Sequence, residues 1–308
     1  MKSKHLLSIT DVSPEEIADL IKSGLYFKES PFGSDLIGKS AALIFEKPSL
    51  RTKVSFDVAV NQLGGHPIYL SKDEIGLGTR EPISDVARTL SRLVDIIVLR
   101  TFSQDNLRDL SDYASVPVIN ALSDQEHPCQ ALADLLTIYE KFNGFENIKI
   151  AYIGDGNNVA ASLALASVSV GIDFVIASPP QYSISRNIVE EINKRSLQSN
   201  ASFSIASSPS EAVSGANVVY TDVWISMGQE EESNDKLKVF SGFQVNESLL
   251  ASTDPSTIFM HPLPAHSEQE ISKGLLENTK SVVFDQAENR LHIPVSYTHL
   301  TLPTSDLV

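Results

Sequence analysis

Short apolar runs alternate along the chain with segments whose apolar residues recur at helical spacing. Runs such as SAALIF at residues 40–45, DIIVL at 95–99 and IKIAYI at 148–153 have the length and composition of buried strands. Helical spacing appears between such runs, for example at residues 84–93 and 106–113. This alternation predicts an α/β fold with parallel sheets and crossover helices.

Two helices have clear start signals. Ser13, followed by a proline and two glutamates, predicts an N-cap and a helix that runs to about Ser30. The segment RTKVSFDVAVNQLG predicts a second helix that ends at a Gly-Gly pair, with Val54, Val58 and Leu63 on its apolar side. The chain therefore opens on a helix before its first strand.

The strand pattern restarts after a long helical stretch at residues 130–142, which predicts a second α/β domain. We divide the chain into domains 1–146 and 147–292. Residues 293–308, IPVSYTHLTLPTSDLV, show neither a helical period nor strand alternation, and we expect this atypical tail to lie outside the fold. The acidic segment GQEEESNDKLK at 228–238 is typical of a solvated loop.

Composition excludes several classes of function. With 24 Lys and Arg against 39 Asp and Glu, the net charge of -15 argues against general binding to nucleic acid or an anionic membrane. No apolar run approaches transmembrane length, and the N-terminus lacks a secretory signal. The single cysteine, Cys129, favours a reducing compartment, so we expect a cytoplasmic protein.

The segment Ser49-Leu50-Arg51-Thr52-Lys53 follows a predicted strand and a proline and opens a predicted helix. A helix start with hydroxyl and arginine side chains can form a phosphate cradle. A simple N-cap followed by solvated charges would give the same pattern. From these residues alone, both interpretations stay open.

Other candidate residues stand at strand ends and helix starts. Arg100 ends an apolar run, which is where ligands bind in open α/β sheets, although a solvated arginine is the commoner case at such a position. His127 and Gln130 are one helical turn apart, and Asp222 is a suitable partner for an ammonium group. The turn GDGNN resembles a dinucleotide loop, but Val159 stands where that loop needs a small residue.

Taken in order, these segments resemble the aspartate/ornithine carbamoyltransferase family over most of the chain. The matching segments are EKPSLRTKVSF, VLRTF, HPCQ, GDGNN, DVWISMG, HPLP and AENR. The resemblance implies two domains, each a mostly parallel sheet flanked by helices, with the active site in the interdomain cleft. It also implies carbamoyl transfer from carbamoyl phosphate to L-ornithine in arginine metabolism, no metal or organic cofactor, and a homotrimer.

The resemblance assigns roles residue by residue. It implies carbamoyl phosphate binding by Ser49, Leu50, Arg51, Thr52, Arg100, His127, Gln130, Leu263 and Arg290. Among these, it implies catalytic roles for Arg51, Thr52, Arg100 and His127. It implies ornithine binding by Asn158, Asp222, Ser226 and Met227.

Some positions depart from the ornithine pattern. His261-Pro262-Leu263-Pro264 has the form usual in the aspartate enzymes, whereas ornithine enzymes commonly have cysteine at the position of Pro262. The DVWISMG segment resembles the ornithine type, which we favour. Gly76 stands where many bacterial relatives have glutamine. An aspartate enzyme, another amine acceptor and a catalytically impaired ligand-binding relative remain alternatives.

Overall fold

The computed structural model describes residues 3–225 and 233–301. Within it the chain forms two units, each with its own sheet. The first unit contains the residues as far as Thr137 together with those from Glu288 onward, and the second runs from Ile138 to Ala287. Each unit is an α/β body, as the alternating pattern of the sequence predicts.

The first unit contains a parallel four-stranded sheet with the order β2-β1-β3-β4. Its strands are β1 (Ser40–Phe45), β2 (His66–Ser71), β3 (Ile96–Arg100) and β4 (Val118–Leu122). Its helices are α1 (Pro14–Glu29), α2 (Leu50–Gln62), α3 (Lys72–Ile75), α4 (Ile83–Leu90), α5 (Gln104–Tyr113) and the start of α6 (Pro128–Phe142).

The second unit contains a parallel five-stranded sheet with the order β7-β6-β5-β8-β9. Its strands are β5 (Lys149–Ile153), β6 (Asp173–Ala177), β7 (Phe203–Ala206), β8 (Val218–Tyr220) and β9 (Ile258–Met260). Its helices are α7 (Asn158–Ser169), α8 (Arg186–Ser199), α9 (Pro209–Ala212), α10 (Ser233–Phe240) and α11 (Glu247–Ala251). The last helix, α12 (Val283–Thr301), continues from this unit into the first.

The start of α1 follows its sequence signal. The Ser13 hydroxyl accepts a hydrogen bond from Glu16 N, and the Glu16 carboxylate accepts one from Ser13 N, which forms a capping box. The predicted apolar side of α2 is wrong at Val54, which is 51% exposed, whereas Leu63 is fully buried. The buried side instead contains Thr52 and Phe56, among other residues, so part of this helix buries polar groups.

The expectation that the last sixteen residues lie outside the fold is wrong as far as Thr301. Helix α12 continues to that residue even though Pro294 lies inside it. Ile293, Val295 and Tyr297 are fully buried in this stretch. Burial of these apolar side chains stabilises a helix that local propensity disfavours.

The expectation of a solvated loop at residues 228–238 is wrong for its second half, which forms the start of α10. Residues 228–232 lie outside the described ranges. Lys236 is only 3% exposed, so the charge pattern of this segment does not mark a fully solvated surface.

Within the described ranges, no helix combines the length and apolarity needed to cross a bilayer.

Both sheets contain a point at which the order of strand addition reverses. In the first, β1 and β3 are neighbours with β2 and β4 on their outer sides. In the second, β5 and β8 are neighbours in the same way. Ligands of open α/β sheets bind beyond the carboxyl ends of strands at such switch points. Each unit therefore presents one expected binding position.

Candidate active site

The switch point of the first unit brings the ends of β1 and β3 together. Phe45 of β1 pairs with Arg100 of β3, and Glu46 N donates to Arg100 O at 2.9 Å. The chain after β1 leads directly to the N-terminus of α2, where Ser49 is the N-cap. The predicted phosphate cradle and the predicted strand-end arginine therefore lie at the same edge of one sheet.

The first turn of α2 is ordered by its cap. The Ser49 hydroxyl accepts a hydrogen bond from Thr52 N at 3.3 Å. Thr52 is buried and Arg51 is half-buried, whereas the Leu50 side chain is 73% exposed. Leu50 can therefore serve this site only through its backbone, in the manner of helix N-termini that bind anions.

Arg290 connects two of the predicted segments of the first unit. Its Nη1 donates to His127 Nε2 at 3.2 Å and also to Gln130 Oε1, and its Nη2 donates to Thr52 Oγ1 at 3.3 Å. Arg100 Nη1 lies 3.5 Å from the same Thr52 oxygen. Because Thr52 accepts from both arginines, its hydroxyl hydrogen is directed towards a third group.

The positive charges of this cluster are concentrated and desolvated. Burial, followed by the charges of Arg290 and Arg51, lowers the pKa of Arg100 to about 10. Arg100 Nε is also buried, with no hydrogen-bond partner among the residues that the structure describes. Close cations that repel one another in a buried place are stabilised by a bound anion, so this cluster is suited to bind an anion.

The same charges set the state of His127. Burial, then Arg290 and Arg100, lower the pKa of His127 well below its ordinary value, so the ring is neutral at neutral pH. Because a guanidinium only donates, His127 accepts from Arg290 at Nε2 and has its ring proton on Nδ1. Gln130 is oriented by its Nε2, which donates to Asp134 Oδ1 at 2.8 Å.

The switch point of the second unit holds a carboxylate. The turn after β5 ends at Asn157, which caps α7 by accepting from Val159 N and Ala160 N. Its Nδ2 donates to Asp222 Oδ2 at 2.9 Å, just beyond the end of β8. Burial raises the pKa of Asp222, while His261 and the Asn157 hydrogen bond act in the opposite direction. A buried carboxylate of this kind is suited to an ammonium partner.

The HPLP segment follows β9 in the same unit. Leu263 N donates to His261 Nδ1 at 2.9 Å, so His261 Nε2 carries the ring proton and donates to Glu270 Oε1 at 3.2 Å. Leu263 has a φ of 58°, a left-handed conformation that the His261 hydrogen bond helps to hold. The backbone carbonyl of Leu263 is thereby fixed in direction.

The structure thus brings together five predicted residues in the first unit: Thr52, Arg100, His127, Gln130 and Arg290. In the second unit, Asn158 is the first residue of α7, directly beside the Asn157 that contacts Asp222. The predicted residues Ser226 and Met227 lie outside the described ranges. Asn157 was not predicted, although its position directly before a helix is a signal for a capping side chain.

No metal site emerges from residues 3–225 and 233–301. Within them, no three His, Cys, Asp or Glu side chains are grouped as metal ligands. The two candidate sites consist of arginine, hydroxyl, amide, imidazole and carboxylate groups. These groups can bind an anion in one unit and a cation in the other.

Comparison with known proteins identifies the family. The family model described as the aspartate/ornithine carbamoyltransferase carbamoyl-P binding domain matches residues 4–140, and the Asp/Orn binding domain matches residues 146–296. The ornithine carbamoyltransferase of Anoxybacillus flavithermus is 46% identical over 95% of this chain and 94% of its own length. The ornithine carbamoyltransferase of Methanothermobacter thermautotrophicus is 47% identical over 96% of this chain and 98% of its own length.

A solved structure agrees with these sequence matches. The ornithine carbamoyltransferase of Pyrococcus furiosus is similar with a TM-score of 0.92 and 44% identity, covering 95% of each chain. Identity at this level extends over nearly the full length of the matched proteins. The chain therefore belongs to the aspartate/ornithine carbamoyltransferase family and, within it, to the ornithine carbamoyltransferases.

Proposed function

We propose that the chain transfers the carbamoyl group of carbamoyl phosphate to the δ-amine of L-ornithine, giving L-citrulline and phosphate. The observation that carries the proposal is the junction of Arg290 with Thr52, His127 and Gln130, beside Arg100. This junction joins an anion site to groups that can contact a carbonyl and an amide. Carbamoyl phosphate contains all three features in one small molecule.

In this proposal, the phosphate binds at the start of α2. The backbone N–H groups of Ser49, Leu50 and Arg51 and the guanidinium groups surround its oxygens. The carbonyl oxygen faces the Thr52 hydroxyl, Arg100 and His127. As the tetrahedral intermediate forms, these donors stabilise the negative charge that develops on that oxygen.

Gln130 holds the carbamoyl nitrogen. Its Oε1 accepts from Arg290, and the second lone pair of that oxygen can accept from the carbamoyl NH2 group. The Leu263 carbonyl is a second acceptor for the same nitrogen, as the resemblance to the family implies. Two acceptors fix the plane of the carbamoyl group before the amine attacks.

Ornithine binds through the groups of the second unit. Asp222 accepts from the α-ammonium group, and Asn158 contacts the amino-acid backbone atoms. Ser226 and Met227 complete this part of the proposal by resemblance to the family. Because the α-ammonium is held by a carboxylate, the δ-amine is the nitrogen that remains to react.

The attacking δ-amine must be neutral, and a lysine-like amine has a reference pKa of about 10. Its nitrogen forms a bond to the carbamoyl carbon, the bond from that carbon to the phosphate oxygen breaks, and the nitrogen loses a proton to the departing phosphate. The fraction of neutral amine grows with pH. Activity should therefore rise from pH 7 towards alkaline values.

An aspartate acceptor is the second candidate. The observation in its favour is Pro262, which gives the HPLP form usual in aspartate enzymes. Against it, Asp222 is a buried carboxylate that suits an ammonium group, and aspartate has a single amine, which could not attack while it is held there as an ammonium group. The ornithine acceptor is therefore preferred.

We also propose a cytoplasmic homotrimer. Support for the cytoplasm comes from the lone free thiol of Cys129, which is buried. Support for an oligomer comes from α2, where Leu50 and Val54 expose apolar side chains that a neighbouring subunit would cover. Light scattering at micromolar concentration tests the oligomer, because a monomer would scatter with a mass near 33.6 kDa.

The test of the reaction is an assay of two acceptors. The chain is incubated with carbamoyl phosphate and either L-ornithine or L-aspartate, and citrulline and carbamoyl-aspartate are both measured. Citrulline alone supports the proposal. Carbamoyl-aspartate as the main product would replace it with the aspartate reaction, and neither product, from a folded chain, would refute carbamoyl transfer.

A further inference from the structure

Lys236 of α10 is a buried ammonium group. Its side chain is 3% exposed, and its Nζ lies 2.6 Å from Asp155 Oδ2 in an ion pair that is itself nearly buried. A buried lysine is rare unless it is paired, because removing its charge from water costs free energy. Burying the Lys236–Asp155 pair therefore costs desolvation free energy, which other interactions of the fold must offset.

Two aromatic rings also lie near this ammonium group. Lys236 Nζ lies 5.0 Å from the centroid of the Tyr182 ring and 5.9 Å from that of Phe240. Those two rings contact each other, and Trp224 stacks on Phe240 with centroids 5.4 Å apart. A carboxylate together with aromatic faces is the arrangement by which proteins hold alkylammonium ligands. We call Asp155, Tyr182 and Phe240 the ammonium cage.

The ammonium cage is continuous with the candidate ornithine site. Asp155 belongs to the turn that also contains Asn157, whose side chain donates to Asp222 at 2.9 Å. Between them, Gly156 N donates to Tyr182 O at 2.7 Å, and a Cβ on Gly156 would lie only 2.3 Å from a backbone nitrogen of the segment that follows Tyr182. The turn is thus packed tightly against the cage. Displacing Asp155 would displace Asn157.

The two carboxylates also interact through their charges. The charge of Asp222 raises the pKa of Asp155 in addition to burial, whereas the hydrogen bond and the charge of Lys236 lower it. Without Lys236, a second uncompensated buried carboxylate would stand near the one that binds the substrate ammonium. Lys236 therefore compensates the charge of Asp155 beside Asp222, and it also holds the turn that contains Asp155 and Asn157.

We propose that Lys236 is a positioning residue for ornithine, which fills the ammonium cage and so holds the turn that directs Asn157 and Asp222. This inference rests on the proposed function, because it assigns Lys236 to the binding of that acceptor. The side chain need not touch the substrate. Replacing Lys236 should change the KM for ornithine and leave the KM for carbamoyl phosphate unchanged. The reason is that the ion pair and the ring contacts of Lys236 lie in the second unit.

The test replaces Lys236 by alanine and then supplies the missing ammonium group as a small molecule in solution. Lys236→Ala should raise the KM for ornithine on the order of tenfold, the change that about 1.4 kcal/mol of lost binding free energy produces. The KM for carbamoyl phosphate should stay as in the unaltered chain. Millimolar n-propylammonium should restore the ornithine KM, and n-propanol should not. Lys236→Arg should retain most of the affinity.

Lys238→Ala is the matched control, because Lys238 lies on the same helix with its side chain 79% exposed. It should leave both KM values unchanged. Lys236→Met and Asp155→Asn keep the volume of the pair and remove one charge each, so they apply the same test if the alanine variant folds poorly. Both should raise the ornithine KM, with the melting temperature of each variant measured alongside.

The outcomes separate two failures. If the unaltered chain forms no citrulline, the proposed function is refuted together with the inference that rests on it. If it forms citrulline but the Lys236 variants keep the ornithine KM, the positioning role alone is refuted. The same holds if both KM values change together, or if propylammonium and arginine both fail to rescue, since either result indicates a general structural role.

Discussion

Replacing Arg290 by methionine should weaken the binding of carbamoyl phosphate strongly. The substitution keeps an unbranched side chain and removes the guanidinium that donates to Thr52, His127 and Gln130. Two unit charges at 4 Å interact by about 4 kcal/mol at an effective dielectric constant of about 20. Arg100 and Arg51 still face the anion, so the loss should be smaller than this full value.

We therefore expect a loss of about 2–3 kcal/mol of binding free energy, in the upper part of the range of about 1.5–3 kcal/mol for hydrogen bonds to charged groups. This corresponds to an increase of about 30- to 150-fold in the KM for carbamoyl phosphate and in the inhibition constant of phosphate. Citrulline formation at saturating ornithine measures both constants. Arg108→Met is the control, because Arg108 belongs to the same unit and its side chain is 56% exposed.

The same substitution carries a pH signature. Arg290 lowers the pKa of His127 in addition to burial, so its removal allows that pKa to rise towards the ordinary value. A protonated imidazole would then return a positive charge to the site as the pH falls. The ratio of the KM for carbamoyl phosphate in the variant to that in the unaltered chain should therefore decrease from pH 8 to pH 6. A KM within twofold of the unaltered chain, with an unchanged melting temperature, would refute the role assigned to Arg290.

Three further predictions test other parts of the structure. Asn157→Ala removes a hydrogen bond that lowers the pKa of Asp222, so this pKa should rise further. The KM for ornithine increases when falling pH protonates the Asp222 carboxylate. In the variant, that increase should therefore begin at a higher pH. His127 stays neutral because its pKa is well below the ordinary value, so the pH profile of kcat should show no ionisation of this group between pH 6 and 8. Ile293→Ala should lower the free energy of unfolding by about 2–4 kcal/mol, whereas Leu197→Ala, at an 83% exposed position, should change it by less than about 0.5 kcal/mol in urea titrations.

The strands and most helices follow from the sequence because their signals are local. A run such as SAALIF has the length of a strand, and Ser13 has the side chain that a helix N-terminus needs. The buried side of α2 does not follow, because Thr52 and Ser55 are buried there while Val54 faces outward. Apolar packing by Phe56, Ala59 and Val60 fixes this side of the helix, and Thr52 and Ser55 share it at the helix start.

The C-terminal helix shows the limit of local propensity. Pro294, Thr298 and Thr301 disfavour a helix in isolation. Burial of Ile293, Val295 and Tyr297 against the rest of the first unit supplies what the local sequence lacks. Such packing depends on residues far away in the chain, so no window of the sequence contains the signal.

The candidate site was predictable where its residues form motifs. The segments around Arg51, His127 and Asp222 each combine several chemical groups in a short stretch, and order along the chain strengthens each of them. Arg290 alone resembles a surface residue, and Lys236 lies among charges that are typical of solvated loops. Both residues derive their significance from tertiary contacts, which a linear pattern does not contain.

The position of Arg290 also determines when the anion site can exist. Its partner Thr52 lies 238 residues earlier in the chain, and His127 lies 163 residues earlier. While the protein is being synthesised, the first sheet and the start of α2 are made long before this arginine, so carbamoyl phosphate meets only part of its site. Contacts of such sequence separation form late and slowly in folding. In the proposed site, full affinity for carbamoyl phosphate therefore requires that the last helix is in place, and a chain that has not finished folding would bind this substrate weakly.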